Sequence, residues 1–169
     1  LIEHKQLAWK NCEFDYSGTK LCLEKGELLP NLWMPPLYAY YLYAFSFLGS
    51  SEQGYIQLVL LSQAVFATVS IVLFYKLNKI FFSKNLSFFS SIILSFFPLY
   101  VYACTQISSI SLQVFLTILF IYSFFKLLKI NSFSSTFLFA FSAGLLILLR
   151  GEFYAILTLT LLYLLLFFK

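Results

Sequence analysis

From residue 55 onward the chain is written in long apolar runs without period-two alternation: 55–75, 86–104, 107–125, 133–149 and 153–168. Each lies close to the roughly 20 residues an α-helix needs to cross the hydrocarbon core of a bilayer. Runs of this kind satisfy their backbone in lipid as helices, because an unpaired amide or carbonyl there is costly. A shorter, aromatic run, 37–48, opens at Pro35-Pro36 and closes at Gly49-Ser50-Ser51. Proline suits a first helical turn, whose amides have no intrahelical partner, so a helix is expected there. It is too short to span and predicts a re-entrant or interfacial helix.

Upstream, residues 1–29 are polar and mixed in charge, with Leu7, Trp9, Phe14, Leu21 and Leu23 spaced for a partly amphipathic helix at an interface. Within that stretch, 16–26 predicts a helix stopped by Gly26, followed by an irregular connection through Pro30. The expected fold is all-α: a polytopic transmembrane helix bundle with an outer-side loop carrying short interfacial helices. Residues 1–54 make up the loop and 55–169 the bundle, with about five spans. A start at Leu1 and an end directly after an apolar run read as a piece of a longer chain.

Composition agrees with the pattern. The chain is 61% hydrophobic and 11% charged, against about 25% charged in soluble domains. That leaves too little polar surface for water, so this is an integral membrane protein. The first residues, LIEHKQLAWK, carry charge and no apolar core, unlike a cleavable signal peptide. The net charge of +4 calls for no nucleic acid, because the lysines sit at helix ends and set orientation. Lys76, Lys79 and Lys84 follow the first run, Lys126 and Lys129 the third, and Lys169 the fifth. If each run crosses once, these places share one side, the cytoplasmic side by the positive-inside rule. The other side then collects Glu52, the 104–109 turn, Arg150, Glu152 and the acidic N-terminal segment, provided that 37–48 does not cross.

Candidate chemistry gathers on that outer side. No Gly-rich phosphate loop, zinc-spaced cysteine pairs or nucleophile elbow is present, and His4 is assigned no role. Cys12, Cys22 and Cys104 read as free packed thiols, with a Cys12–Cys22 disulfide as the alternative in an oxidising compartment. Glu13, Asp15, Glu24 and Glu27 cluster in one loop, with Glu3 upstream. Arg150 ends an apolar run. It either snorkels to the headgroups as an anchor or, being an arginine on the outer side, binds an anion.

Taken together these features resemble the membrane-embedded GT-C glycosyltransferases, the group of the dolichyl-phosphate-mannose protein mannosyltransferases and the bacterial aminoarabinose transferases. The resemblance rests on Asp15 (or Glu13), Tyr16 and Gly26 in the first outer loop, then Pro35-Pro36-Leu37-Tyr38 leading into a short aromatic helix. It continues with a helix ending in FYKLNKIFFSK, with Pro98-Leu99-Tyr100-Val101-Tyr102, and with Leu148-Leu149-Arg150. The chain departs from the family at Ser108-Ser109-Ile110, where a Ser-Glu pair is usual, and at Gly151, where proline follows the arginine.

The resemblance implies transfer of a sugar from a polyprenyl-phosphate donor to a lipid, glycan or protein acceptor. The reaction would be inverting and run on the outer face of a plasma membrane, with no cofactor and no metal. One loop carboxylate, Asp15 with Glu13 as the other candidate, would be the general base opposite the leaving group. Arg150 would hold the departing phosphate, and Tyr38, Trp33 and Tyr16 would line the substrate site. Membrane lipids are the remaining partners. Two other readings are a non-catalytic transporter or flippase-like protein and a structural subunit of an envelope complex. Transporters usually place ionisable groups at mid-membrane depth, whereas these runs hold only Ser, Thr, Gln57, Gln63, Gln113 and tyrosine hydroxyls as polar groups.

Overall fold

The computed structural model describes residues 8–9, 12–14, 20–22, 29–30, 36–48, 52–130 and 132–167. In the N-terminal segment these form two short antiparallel ladders. Strand β1 (Ala8–Trp9) pairs with β4 (Leu29–Pro30), and β2 (Cys12–Phe14) pairs with β3 (Lys20–Cys22). The register sets Cys12 opposite Cys22, Glu13 opposite Leu21 and Phe14 opposite Lys20. The helix expected over 16–26 is therefore corrected, since residues 20–22 lie in a strand. Ser17-Gly18 between the paired segments carries turn chemistry, a signal that competes with the helical spacing of the apolar residues.

The other described elements are helices. The helices are α1 (Pro36–Ser46), α2 (Glu52–Asn78), α3 (Lys84–Ser95), α4 (Pro98–Thr105), α5 (Ile110–Lys129), α6 (Phe133–Leu149) and α7 (Phe153–Phe167). Helices α2 and α5 are long and apolar enough to cross a membrane. The α3–α4 pair counts as a third crossing if its two bent pieces are taken together, while α6 and α7 are shorter apolar helices. Thus the run 86–104, expected as one span, is two helices inclined at 50°. The cause is local: Phe97 precedes Pro98, and the proline ring excludes the α conformation for the residue before it. Phe97 accordingly sits at φ −65°, ψ 115°.

The centre of the bundle is the contact of α5 with α6. Leu112, Leu116 and Phe120 recur at four-residue steps, with Leu127 two turns further on, and meet Phe139, Ala143, Leu146 and Leu149, the spacing that keeps one helix face turned to its neighbour. Helix α2 packs on the other side of α5, and α1 rests against α2 and α6. Lipid tails are as apolar as leucine, so close backbone approach and hydrogen bonds drive such packing. Serine supplies both. Ser70, Ser87, Ser111, Ser123, Ser135 and Ser142 are all 0% exposed. Ser123 and Ser142 meet hydroxyl to hydroxyl at 3.2 Å between α5 and α6. Ser132 and Ser135 begin α6 as a reciprocal capping pair, which satisfies amides that the first turn leaves open.

Candidate functional site

Chain direction sorts the bundle into two ends. The last turns of α2 and α5 lie together, since Lys76, Lys79, Lys126 and Lys129 line one cavity. Helix α6 returns along α5 in the opposite sense, so Arg150 at its C-terminus lies about 25 Å away, 17 residues at ~1.5 Å each. The far end also holds α1, the 106–109 turn and the start of α5.

Gln63 ties that end together. It is 1% exposed and sits inside the apolar run of α2. Its Nε2 donates to the Ser108 carbonyl at 2.9 Å and to the Tyr38 hydroxyl at 3.3 Å. One amide thus connects α1, α2 and the turn between α4 and α5. Its Oε1 is buried and accepts no hydrogen bond from a described residue, which leaves an acceptor in a setting where polar atoms are normally paired. Tyr41, one turn after Tyr38, hydrogen-bonds Ser62, and its ring lies 5.7 Å from that of Tyr38. Burial pushes the Tyr38 phenol above its ordinary value, with Tyr41 adding to the rise and the Gln63 hydrogen bond opposing it. Tyr38 is therefore a neutral phenol at any physiological pH, able to donate as well as accept.

Arg150 caps α6. Its backbone amide donates to the Leu146 carbonyl at 2.9 Å, and the adjacent Leu149 is buried in the core. The guanidinium is 43% exposed and pairs with Glu152 at 3.8 Å, a carboxylate that is itself 81% exposed. So long and solvated a pair contributes little, and it leaves most of the guanidinium donors available to a ligand.

Of the residues singled out from the sequence, Tyr38 and Arg150 are thus brought to the same end of the bundle. The backbone of Glu13 is described, in β2 opposite Leu21. Asp15, Tyr16 and Trp33 lie outside the described residues. Among the described residues no group of three or more His, Cys, Asp or Glu side chains is placed to hold a metal ion. Cys104 is a free thiol, 3.6 Å from the Ser111 hydroxyl. Gln63 is the site residue that sequence reasoning passed over. Its signal was an amide well inside a long, mostly apolar run, which is expensive unless it serves a purpose.

A multi-pass helical bundle with a tyrosine–amide node and a lightly paired arginine at one end defines a class of membrane protein built to present polar groups at one membrane surface. Residues 34–169 match the family described as Dolichyl-phosphate-mannose-protein mannosyltransferase, and the chain belongs to that family. It is therefore a membrane glycosyltransferase whose donor is a sugar carried on a lipid phosphate. The matched region contains Tyr38 and Arg150 and begins after Glu13, Asp15, Tyr16 and Trp33. No curated protein and no solved structure gives a significant match.

Proposed function

We propose that the protein moves a hexosyl or pentosyl group from a polyprenyl phosphate to a hydroxyl acceptor on the outer side of the plasma membrane, with inversion at the anomeric carbon. In this reading residues 1–54 are the outer-side segment and 55–169 the helical bundle. The acceptor oxygen attacks the anomeric carbon while the bond from that carbon to the phosphate oxygen breaks. The acceptor proton passes to Asp15, for which Glu13 is the alternative, and the electron pair leaves with the phosphate. Arg150 binds the charge that builds on the departing oxygen, where a planar two-pronged donor lowers the barrier most. Tyr38, Trp33 and Tyr16 line the sugar or the first isoprene units.

The observation that carries the reading is the environment of Arg150. It stands at the end of the bundle away from the lysines, with one weak partner, Glu152 at 3.8 Å. The test is an assay of the full-length protein with a polyprenyl-phosphate sugar. Arg150→Ala should abolish transfer in a folded, inserted protein, and Arg150→Lys should restore a part, since lysine keeps the charge without the fork. Asp15→Asn should cost roughly 10²–10⁴-fold in rate, the usual loss when a general base is removed, and Glu13→Gln much less. Full activity in Arg150→Ala would reduce that residue to a membrane anchor. The reverse ranking of the carboxylates would move the base to Glu13.

A further inference from the structure

The opposite end of the bundle carries a feature that sugar transfer does not use. Lys76, Lys79, Lys126 and Lys129 converge on a single open cavity of about 320 Å³, walled by Ile80, Tyr122 and Ile130. We propose that this cavity binds a phosphate anion, with the headgroup phosphodiester of an acidic bilayer phospholipid as the occupant that its position favours.

Orientation alone would be served by lysines spread around the helix ends. Here four of them, from the C-terminal ends of two separate helices and the residue just after α2, line one place. The helices and turns around the cavity bring no carboxylate of their own: no aspartate or glutamate occurs between Glu52 and Glu152. Among the described residues the one ion pair joins Arg150 to Glu152 at the other end. Lys79 has a π partner, its Nζ lying 5.8 Å from the centre of the Tyr75 ring. The C-termini of α2 and α5 also face this end, and each brings about half a negative charge. Against four ammonium groups that still leaves roughly three positive charges around the cavity.

The cavity walls are held in place. Phe81 packs edge-on against Phe125 at 4.8 Å, which pins the turn after α2 to α5. Leu77 and Leu127, the chain neighbours of Lys76 and Lys126, are buried. The volume is at the lower end of the ~300–1,000 Å³ typical of small-molecule sites, a size for a headgroup. The cavity lies where two helices long and apolar enough to cross a membrane end, and basic pockets between transmembrane helices on the cytoplasmic side hold acidic headgroups.

The test is lipid retention by the full-length protein, purified in detergent with equimolar phosphatidylglycerol and phosphatidylcholine and read by native mass spectrometry. Wild type should retain phosphatidylglycerol in preference. Lys79→Gln with Lys126→Gln should weaken that retention by about 25-fold, at roughly fivefold for each lysine near a charged surface. Lys84→Gln, whose side chain does not line the cavity, should leave it unchanged. A second arm adds inorganic phosphate to the delipidated protein and follows thermal unfolding. Stabilisation by millimolar phosphate that is lost in the double variant, without phosphatidylglycerol preference in wild type, would assign the site to free phosphate. Equal retention of the two lipids with no response to phosphate would overturn the proposal. So would a double variant that keeps the wild-type preference. Because the cavity is far from Arg150, Arg150→Ala should leave lipid retention intact, which separates this site from the transfer reaction.

Discussion

Ser142 and Gly144, two residues apart on α6, demand opposite things of their side chains. Ser142 is 0% exposed and meets Ser123 of α5 at 3.2 Å. A larger side chain there would force the helices apart, and overpacking a tight contact typically costs about 1–3 kcal/mol. Removing the hydroxyl alone keeps the close approach and forfeits a hydrogen bond of under about 1 kcal/mol. Gly144 has open space where a Cβ would stand, with nothing within 4 Å. Alanine at that position should therefore gain roughly 0.5–1 kcal/mol of helix stability. Unfolding in detergent should rank Gly144→Ala at or above wild type, Ser142→Ala slightly below it and Ser142→Leu clearly lowest. If Ser142→Leu matched Ser142→Ala, the α5–α6 contact would be looser than the hydroxyl distance implies.

At the level of elements, the bend between α3 and α4 depends on Pro98. Pro98→Ala frees Phe97 to continue the helix, so the two pieces should straighten. Spin labels at the exposed positions Leu86 and Tyr102 should then move apart by about 2 Å, the difference between a straight and a 50°-bent path of 16 residues. An unchanged distance would mean that packing against α2 and α5, and not the proline, imposes the angle. This break was readable in principle, because the residue before a proline avoids the α conformation. The apolar run hid it. Long runs announce burial in lipid and say nothing about continuity, which is why α2, α5 and α6 were legible and the α3–α4 break was not. The serines were hidden in the same way. A Ser/Phe-rich stretch looks like bias in composition until the contacts show which serines sit between helices. At the site, Arg150 and Tyr38 stood out by residue type and by order along the chain. Gln63 did not, since its worth comes from joining three segments distant in sequence. For β2 and β3, apolar spacing pointed to a helix where Cys12–Phe14 and Lys20–Cys22 pair instead.

For the molecule as a whole, the separation of the lysines from Arg150 converts into a prediction of topology. Single cysteines placed at Lys20 and Glu52 should react with an impermeant reagent added outside, whereas cysteines at Lys84 and Asn131 should react only after the membrane is opened. Labelling of the Lys84 position from outside would invert the orientation and put the acidic segment in the cytoplasm. The bend has a consequence of a different kind, for biogenesis. Helix α3 is 12 residues long and carries Lys84, Asn85 and four serines, two of them, Ser87 and Ser91, buried. Among the described elements it touches α2 and α4 alone. Such a segment is too short and too polar to be held by lipid on its own. It should therefore leave the insertion machinery together with α4, so the two pieces on either side of the kink enter the membrane as one unit and pack on α2 there.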